Sequence, residues 1–285
     1  MKVLVTGGAG FVGSSLISEL VKDDSLSVFS LDNYFTGKKD NHVQGATYIE
    51  GETQNISEFI NFKPDVVFHF GEYSRVSTSF EDFNKVWDYN IKGTHRVLEF
   101  CKKNKCKLIY SASSTKFADG GSNKNASPYA FFKSQNTDLI KNYHDWFGME
   151  YAICYFYNVY GESQITTGKY ATVIGIFEKQ YNENLPLTVV LPGYQTRDFT
   201  HISDVVSGLV LIMKNGRGDK YCFGTGKTYK IIDVAKLFKD EITLVKERPG
   251  ERFESFIDLR KSYELGWRSK INLEEYIKKV KEKKQ

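Results

Sequence analysis

The stretch "KVLVTGGAGFVGSSLISEL", residues 2–20, limits what this chain can fold into more than any other. An apolar run, a turn carrying Gly7, Gly10 and Gly13 around Phe11 and Val12, and an amphipathic stretch over 12–21 read as strand, tight loop and helix. A tight turn, a close backbone approach and close helix–strand packing each require a missing side chain. The helix N-terminus then offers its free N–H groups to a pyrophosphate. The spacing is GxxGxxG rather than GxGxxG, and glycine-rich turns also arise for structural reasons alone. Context favours the dinucleotide reading, because Asp32 in "VFSLDNY" closes the next apolar run, where an acid bonds a ribose 2′-hydroxyl. That carboxylate repels a 2′-phosphate, so NAD is expected rather than NADP; the other reading of Asp32 is a helix or turn cap.

Periodicity extends this start into an architecture. Apolar runs at 2–6, 27–31, 46–50, 65–70, 107–111 and 151–156 alternate with helical spacing at 12–21, 83–101 and 128–147. Apolar strands separated by helices predict an α/β fold, a Rossmann-type doubly wound parallel sheet covered on both faces. After Gly161 the elements shorten, with a helix expected at 171–181 and a strand at 187–190. The expected division is a dinucleotide-binding part, 1–160, and a smaller C-terminal α/β substrate part, 161–285, with segments of the two interleaved.

Composition removes other classes. With 41% hydrophobic and 26% charged residues among 285, the chain suits a soluble globular protein, and no apolar run approaches the roughly 20 residues of a membrane helix. A net charge of +4, much of it in the closing "YIKKVKEKKQ", gives little support to a nucleic-acid partner. Cys101, Cys106, Cys154 and Cys222 make no metal-ligand or redox spacing, and no metal is expected. The first strand starts at the second residue, leaving no room for a targeting peptide, so free thiols in a cytoplasmic protein are expected.

In "SPYAFFK", Tyr129 and Lys133 stand four residues apart and share one face of a helix. Taken alone this is compatible with an incidental pair on a surface helix. A phenol is a poor base at neutral pH unless nearby positive charge favours the phenolate, and Lys133 is placed to supply that charge. With "TGGAGFVG" and "YAFFK" stand "VVFHFGEYSRVSTSF", "DYNIKGT", "IYSASSTKF", "YFYNVYG", "TRDFTHISDV", "RPGER" and "LGW". In that order they resemble the extended short-chain dehydrogenase/reductase family, and within it the nucleotide-sugar epimerases of the UDP-galactose 4-epimerase type, over nearly the whole chain.

The resemblance implies catalysis by Ser113, Tyr129 and Lys133. It implies cofactor contacts from the glycine loop, Asp32, Asn33, Glu52, Thr53, Phe70, Gly71, Asn90, Tyr129 and Lys133. Substrate contacts fall to Glu72, Ser113, Ser114, Thr115, Asn158, Arg197 and Arg248, with Arg suited to a diphosphate. Taken singly, Arg197 could instead pair with Asp198 and Arg248 with Glu251. His69 and His201 are read as structural. The expected substrate is a nucleotide-diphosphate sugar, epimerised at C4 through a transient 4-keto sugar. Simple 4-dehydrogenation is the alternative, with 4,6-dehydration or a non-catalytic sensor further off. Homodimerisation through helices 83–101 and 128–147 is also implied.

Four departures from the family pattern stand out. Glu72 replaces a small residue, which weakens the case for an acidic sugar. The stretch 116–127 is short, Glu52 stands in "GET" for an aspartate, and Tyr155 replaces an arginine. Ser114 and Thr115 occupy the places where the 4,6-dehydratases carry an Asp-Glu pair, and the glutamate used by the decarboxylases is missing from the same stretch.

Overall fold

Val3, Leu4 and Val5 are completely buried, which a strand achieves only when both faces of its sheet are covered. The computed structural model, which describes residues 1–284, shows how. Strands β1 (Lys2–Thr6), β2 (Ser27–Asp32), β3 (Ala46–Glu50), β4 (Val66–His69), β5 (Lys107–Ser113) and β6 (Tyr151–Phe156) are followed by β7 (Leu187–Val190), β8 (Thr196–Asp198), β9 (Gly218–Phe223), β10 (Thr228–Lys230) and β11 (Ile242–Val245). The main sheet has seven parallel strands in the order β3-β2-β1-β4-β5-β6-β9. The order reverses between β1 and β4, and a crevice opens outside the carboxyl ends of strands at such a point.

Helix Phe11–Leu20 leaves β1 through the glycine loop. Gly7 has φ +72°, and a Cβ at Gly13 would stand 2.2 Å from the Gly7 carbonyl oxygen, so neither position accepts a side chain without displacing the loop. Helix Pro128–Phe147 spans the predicted range. Ser127 Oγ accepts a hydrogen bond from Ala130 N at 3.1 Å, proline holds the first turn, and Gly148 ends the helix in the left-handed region. The helix expected at 83–101 is interrupted: α-helical turns Phe83–Val86 and Thr94–Asn104 flank a π-helical segment, Trp87–Gly93. Such segments concentrate at functional sites, and this one turns Asn90 into the interior.

The C-terminal elements take two directions. β9 extends the main sheet beside β6, and helix Ile202–Asn215 joins helix Phe11–Leu20 in the core on one face of that sheet. β7 pairs with β11 and β8 with β10, while helices Val173–Asn182, Ile231–Phe238 and Leu273–Glu282 enclose a separate apolar cluster around Phe177 and Phe238. Gln285, the end of the expected charged tail, lies outside the described residues.

Candidate active site

A cavity of about 500 Å³ lies at the carboxyl ends of β1, β4, β5 and β6. Its wall brings together Gly7, Gly10, Phe11, Val12, Gly13, Asp32, Asn33, Thr53, Phe70 and Gly71 from the cofactor set. Ser113, Ser114, Thr115, Tyr129, Lys133, Asn158, Arg197 and Arg248 join them from the catalytic and substrate sets. Helix Phe11–Leu20 presents an N-terminus with no side-chain cap to this space. Asp32 accepts from Ala9 N and from Tyr34 N, each at 2.8 Å, so it braces the glycine loop and makes its own turn. One bond per oxygen leaves acceptor capacity for a ribose hydroxyl. Burial pushes the Asp32 carboxyl above its ordinary value against those two N–H groups. Loop, helix terminus and acid therefore fit NAD, with the carboxylate on the ribose and free N–H groups for the pyrophosphate.

Two expected contacts fall elsewhere. Glu52 is exposed just before the 3₁₀ turn Thr53–Asn55 and does not line the cavity, whereas Gly51 and Thr53 on either side of it do. Asn90 is also absent from the wall. Its amide accepts from Tyr73 N at 2.8 Å and donates to Tyr73 O at 3.0 Å, clamping the segment that follows β4.

Glu72 does line the cavity, with its carboxylate engaged by its neighbours. It forms an ion pair with Lys133, with only 1% and 5% of the two side chains exposed. Its other oxygen accepts from Thr94 Oγ1 at 2.8 Å, Tyr110 OH at 3.0 Å and Asn136 Nδ2 at 3.1 Å. Lys133 also donates to Ser111 O at 2.6 Å. A buried pair persists when its remaining lone pairs and protons find partners, and here they do.

This pair ends a buried chain of hydrogen bonds. Since Thr94 Oγ1 gives its proton to Glu72, it accepts from His69 Nε2 at 3.0 Å; His69 Nδ1 then accepts from Thr6 Oγ1 at 2.7 Å. Thr6 Oγ1 in turn accepts from Phe70 N and Gly71 N, at 3.2 and 3.1 Å. That assignment keeps the imidazole neutral, in accord with burial lowering the His69 pKa to about 4. The structural reading of His69 therefore gains a specific content: it joins the end of β1 to the lysine of "YAFFK". His201 caps helix Ile202–Asn215, accepting from Ser203 N at 3.2 Å.

On the substrate side, Ser113 Oγ accepts from Thr115 Oγ1 at 2.9 Å, so the strand end that presents the serine also holds it. Asn158, with φ +36°, donates to Asp198 O at 2.6 Å. Arg197 forms its ion pair with Glu251 rather than Asp198, whose carboxylate instead accepts from Thr225 N and Gly226 N. Arg248 forms no salt bridge among the described residues. Tyr155 is fully buried off the cavity wall and donates to Asp219 Oδ1 at 2.8 Å. Two cavity arginines escaped sequence reasoning, Arg75 and Arg252. The signal for Arg252 was the second arginine of "RPGER".

The fold and this wall define a Rossmann-type dinucleotide enzyme with a Ser-Tyr-Lys set. A family model described as the NAD dependent epimerase/dehydratase family matches residues 3–231, and the chain belongs to that family. It is 34% identical to a Methanocaldococcus jannaschii protein named "Putative UDP-glucose 4-epimerase", over 98% of this chain and 96% of that one. The structure of UDP-glucose 4-epimerase with UDP-glucose from Thermotoga maritima superposes with a TM-score of 0.90 at 27% identity, covering 99% of this chain and 98% of that one. UDP-glucuronic acid 4-epimerase of Bacillus cereus, in complex with UDP-glucuronic acid and NAD, gives 0.87 at 26% identity, covering 99% of each chain. The cofactor is accordingly NAD, and the chain is an enzyme of this family.

Proposed function

We propose that the chain is an NAD-dependent nucleotide-sugar epimerase that inverts C4 of its sugar. The observation that carries this reading is how the cavity's charges are committed. Ser113, Tyr129 and Lys133 share a wall, while Glu72 and Glu251 are held in ion pairs by Lys133 and Arg197. Water elimination needs a free acid and base on the sugar side; Ser114 and Thr115 are there instead.

NAD, when bound, supplies the acceptor and later the donor of a hydride. Tyr129 takes the proton of the sugar hydroxyl and gives it back after the ketone has turned its other face. Ser113 holds that hydroxyl in line, and Lys133, fixed by Glu72, keeps positive charge beside the phenol. Asn158, Arg197 and Arg248 hold the diphosphate, as the UDP-sugars of the two structural relatives suggest. The four buried, free thiols suit a reducing cytoplasm, and no helix among the described residues is long and apolar enough to cross a membrane.

The test is liquid chromatography with mass detection after incubating protein and NAD with a panel of UDP-, GDP-, dTDP-, CDP- and ADP-sugars. A new peak of unchanged mass is expected. A product lighter by two hydrogens with accumulating NADH makes the enzyme a dehydrogenase, and loss of water makes it a dehydratase. Exposed Phe83, Trp87, Phe131 and Trp146 on the helices around 83–104 and 128–147 support a homodimer built through those helices; a monomer mass in sedimentation would overturn it.

A further inference from the structure

The proposed reaction leaves Arg252 without a task. It is more than nine-tenths buried on the cavity wall, yet no carboxylate pairs with it among the described residues. Its Nη1 donates to Ser114 Oγ at 2.9 Å, and its Nη2 reaches Asn158 Oδ1 at 3.4 Å. A guanidinium taken from water and given only neutral partners costs stability unless an anion completes its shell.

The balance of charge along the wall points the same way. Four guanidiniums line the cavity, those of Arg75, Arg197, Arg248 and Arg252. Glu251 neutralises Arg197, and Arg75 donates to the carbonyls of Tyr170 and Ser74, which carry no net charge. With Arg248 assigned to the diphosphate, Arg252 is left buried with only neutral partners. Arg252 stands between the diphosphate ligand Asn158 and the strand end that carries Ser113. Its bond to Ser114 sets it one residue from Ser113, and the phenol of Tyr129 is among the groups that oppose the fall of its pKa, which burial first and Arg197 second bring down to about 10.

Its segment is also fastened on both sides. Phe253 N and Glu254 N donate to the Asp119 carboxylate, the latter at 2.7 Å, and Phe253 O accepts from Thr196 N at 2.8 Å. The loop 116–127 thus holds the arginine in position, and a preorganised group loses little freedom on binding. The objection that Glu72 would repel an acidic sugar falls with its pairing to Lys133.

We propose that Arg252, with the Ser114 hydroxyl, receives a carboxylate on the sugar, so that the substrate is a nucleoside-diphosphate sugar of the uronic type. This rests on the nucleotide-sugar reading above and adds the charge of the sugar. A planar guanidinium matches a carboxylate in two parallel hydrogen bonds.

The test is calorimetric titration of the NAD-loaded protein with UDP-glucuronic acid, UDP-glucose and UDP, and with GDP-mannuronic acid and GDP-mannose, on the native chain and on Arg252→Met. The native chain is expected to prefer the acidic member of whichever pair it binds, by about 10-fold or more. Arg252→Met is expected to weaken that member about 100-fold and the neutral one less than about threefold. Arg252→Lys, which keeps the charge and loses the fork, falls between the two and serves if the methionine variant does not fold. Equal weakening of acidic, neutral and free nucleotide would make Arg252 a diphosphate ligand and overturn the proposal. Preference of the native chain for neutral sugars would overturn it while leaving the epimerase intact. No binding of any nucleotide sugar would remove the nucleotide-sugar reading itself.

Discussion

The two walls of the cleft are built differently. The cofactor wall comes from short continuous pieces at strand ends, Gly7 to Gly13, Asp32 and Asn33, Thr53, and Phe70 and Gly71, and it offers main-chain groups and one carboxylate. The substrate wall gathers side chains from residues 113–115, 158, 197 and 248–252, and it offers mostly guanidiniums and hydroxyls. A backbone cradle suits a ligand that stays the same across a family, because it depends on turn geometry. A wall of scattered side chains can change its ligand one residue at a time. Beneath them lies a floor of buried polar groups, Thr6, His69 and Thr94, which ends at the Glu72–Lys133 pair lining the cavity.

The largest expected effect lies on the seam. Tyr129→Phe should lower turnover by about 100- to 10,000-fold while NAD and nucleotide sugar still bind; loss of binding instead would place the phenol in one of the walls. Glu72→Ala should act on the floor, destabilising the fold by about 3–5 kcal/mol in urea titration because Lys133 is left buried and unpaired. Glu72→Leu combined with Lys133→Met should cost far less, and an equal cost would mean the pair is not the source.

Next comes a pH effect on the same floor. His69 titrates near 4 when folded, against about 6.5 when unfolded. Above pH 6.5 both states are neutral and the imidazole adds no slope. As pH falls from 6.5 toward 4 the unfolded chain takes up the proton first, and about 3 kcal/mol of stability is lost. His69→Gln should flatten that slope in thermal melts at stepped pH. The smallest effects separate two acids both expected to contact the cofactor: Asp32→Asn should weaken NAD about 10- to 100-fold by fluorescence titration, whereas exposed Glu52→Gln should change it less than about twofold.

What could be read from the sequence follows the same division. Gly7, Gly10, Gly13 and Asp32 announce themselves because turn, approach and ribose contact lie within a few residues of one another, and "SPYAFFK" carries its own cap and its i, i+4 pair. The strand ends at β1 to β6 were legible within one or two residues, since parallel strands buried on both faces give unbroken apolar runs. Glu72 was conspicuous as a departure, but its partner lies 61 residues on, and no local pattern says that a carboxylate turns down rather than out. Asn90 misled for a related reason. The family resemblance implied it as a cofactor contact, and nothing local shows that a π-helical segment holds its amide on the Tyr73 backbone. Arg252 was hidden in plain view, since only the fold brings residues 114, 158 and 252 together.

The strand β9 carries a last consequence. By crossing from the substrate part to pair with β6, and bringing helix Ile202–Asn215 against helix Phe11–Leu20, it stitches the two functions into one mechanical body. Cutting the chain near Gly161 would bare the edge of β6 and strip cover from Leu16 and Ile17, so neither fragment would be a freestanding module. Shuffling this enzyme by whole halves is closed as an engineering route; grafting the short 248–252 segment together with its Asp119 anchor is the exchange its architecture permits.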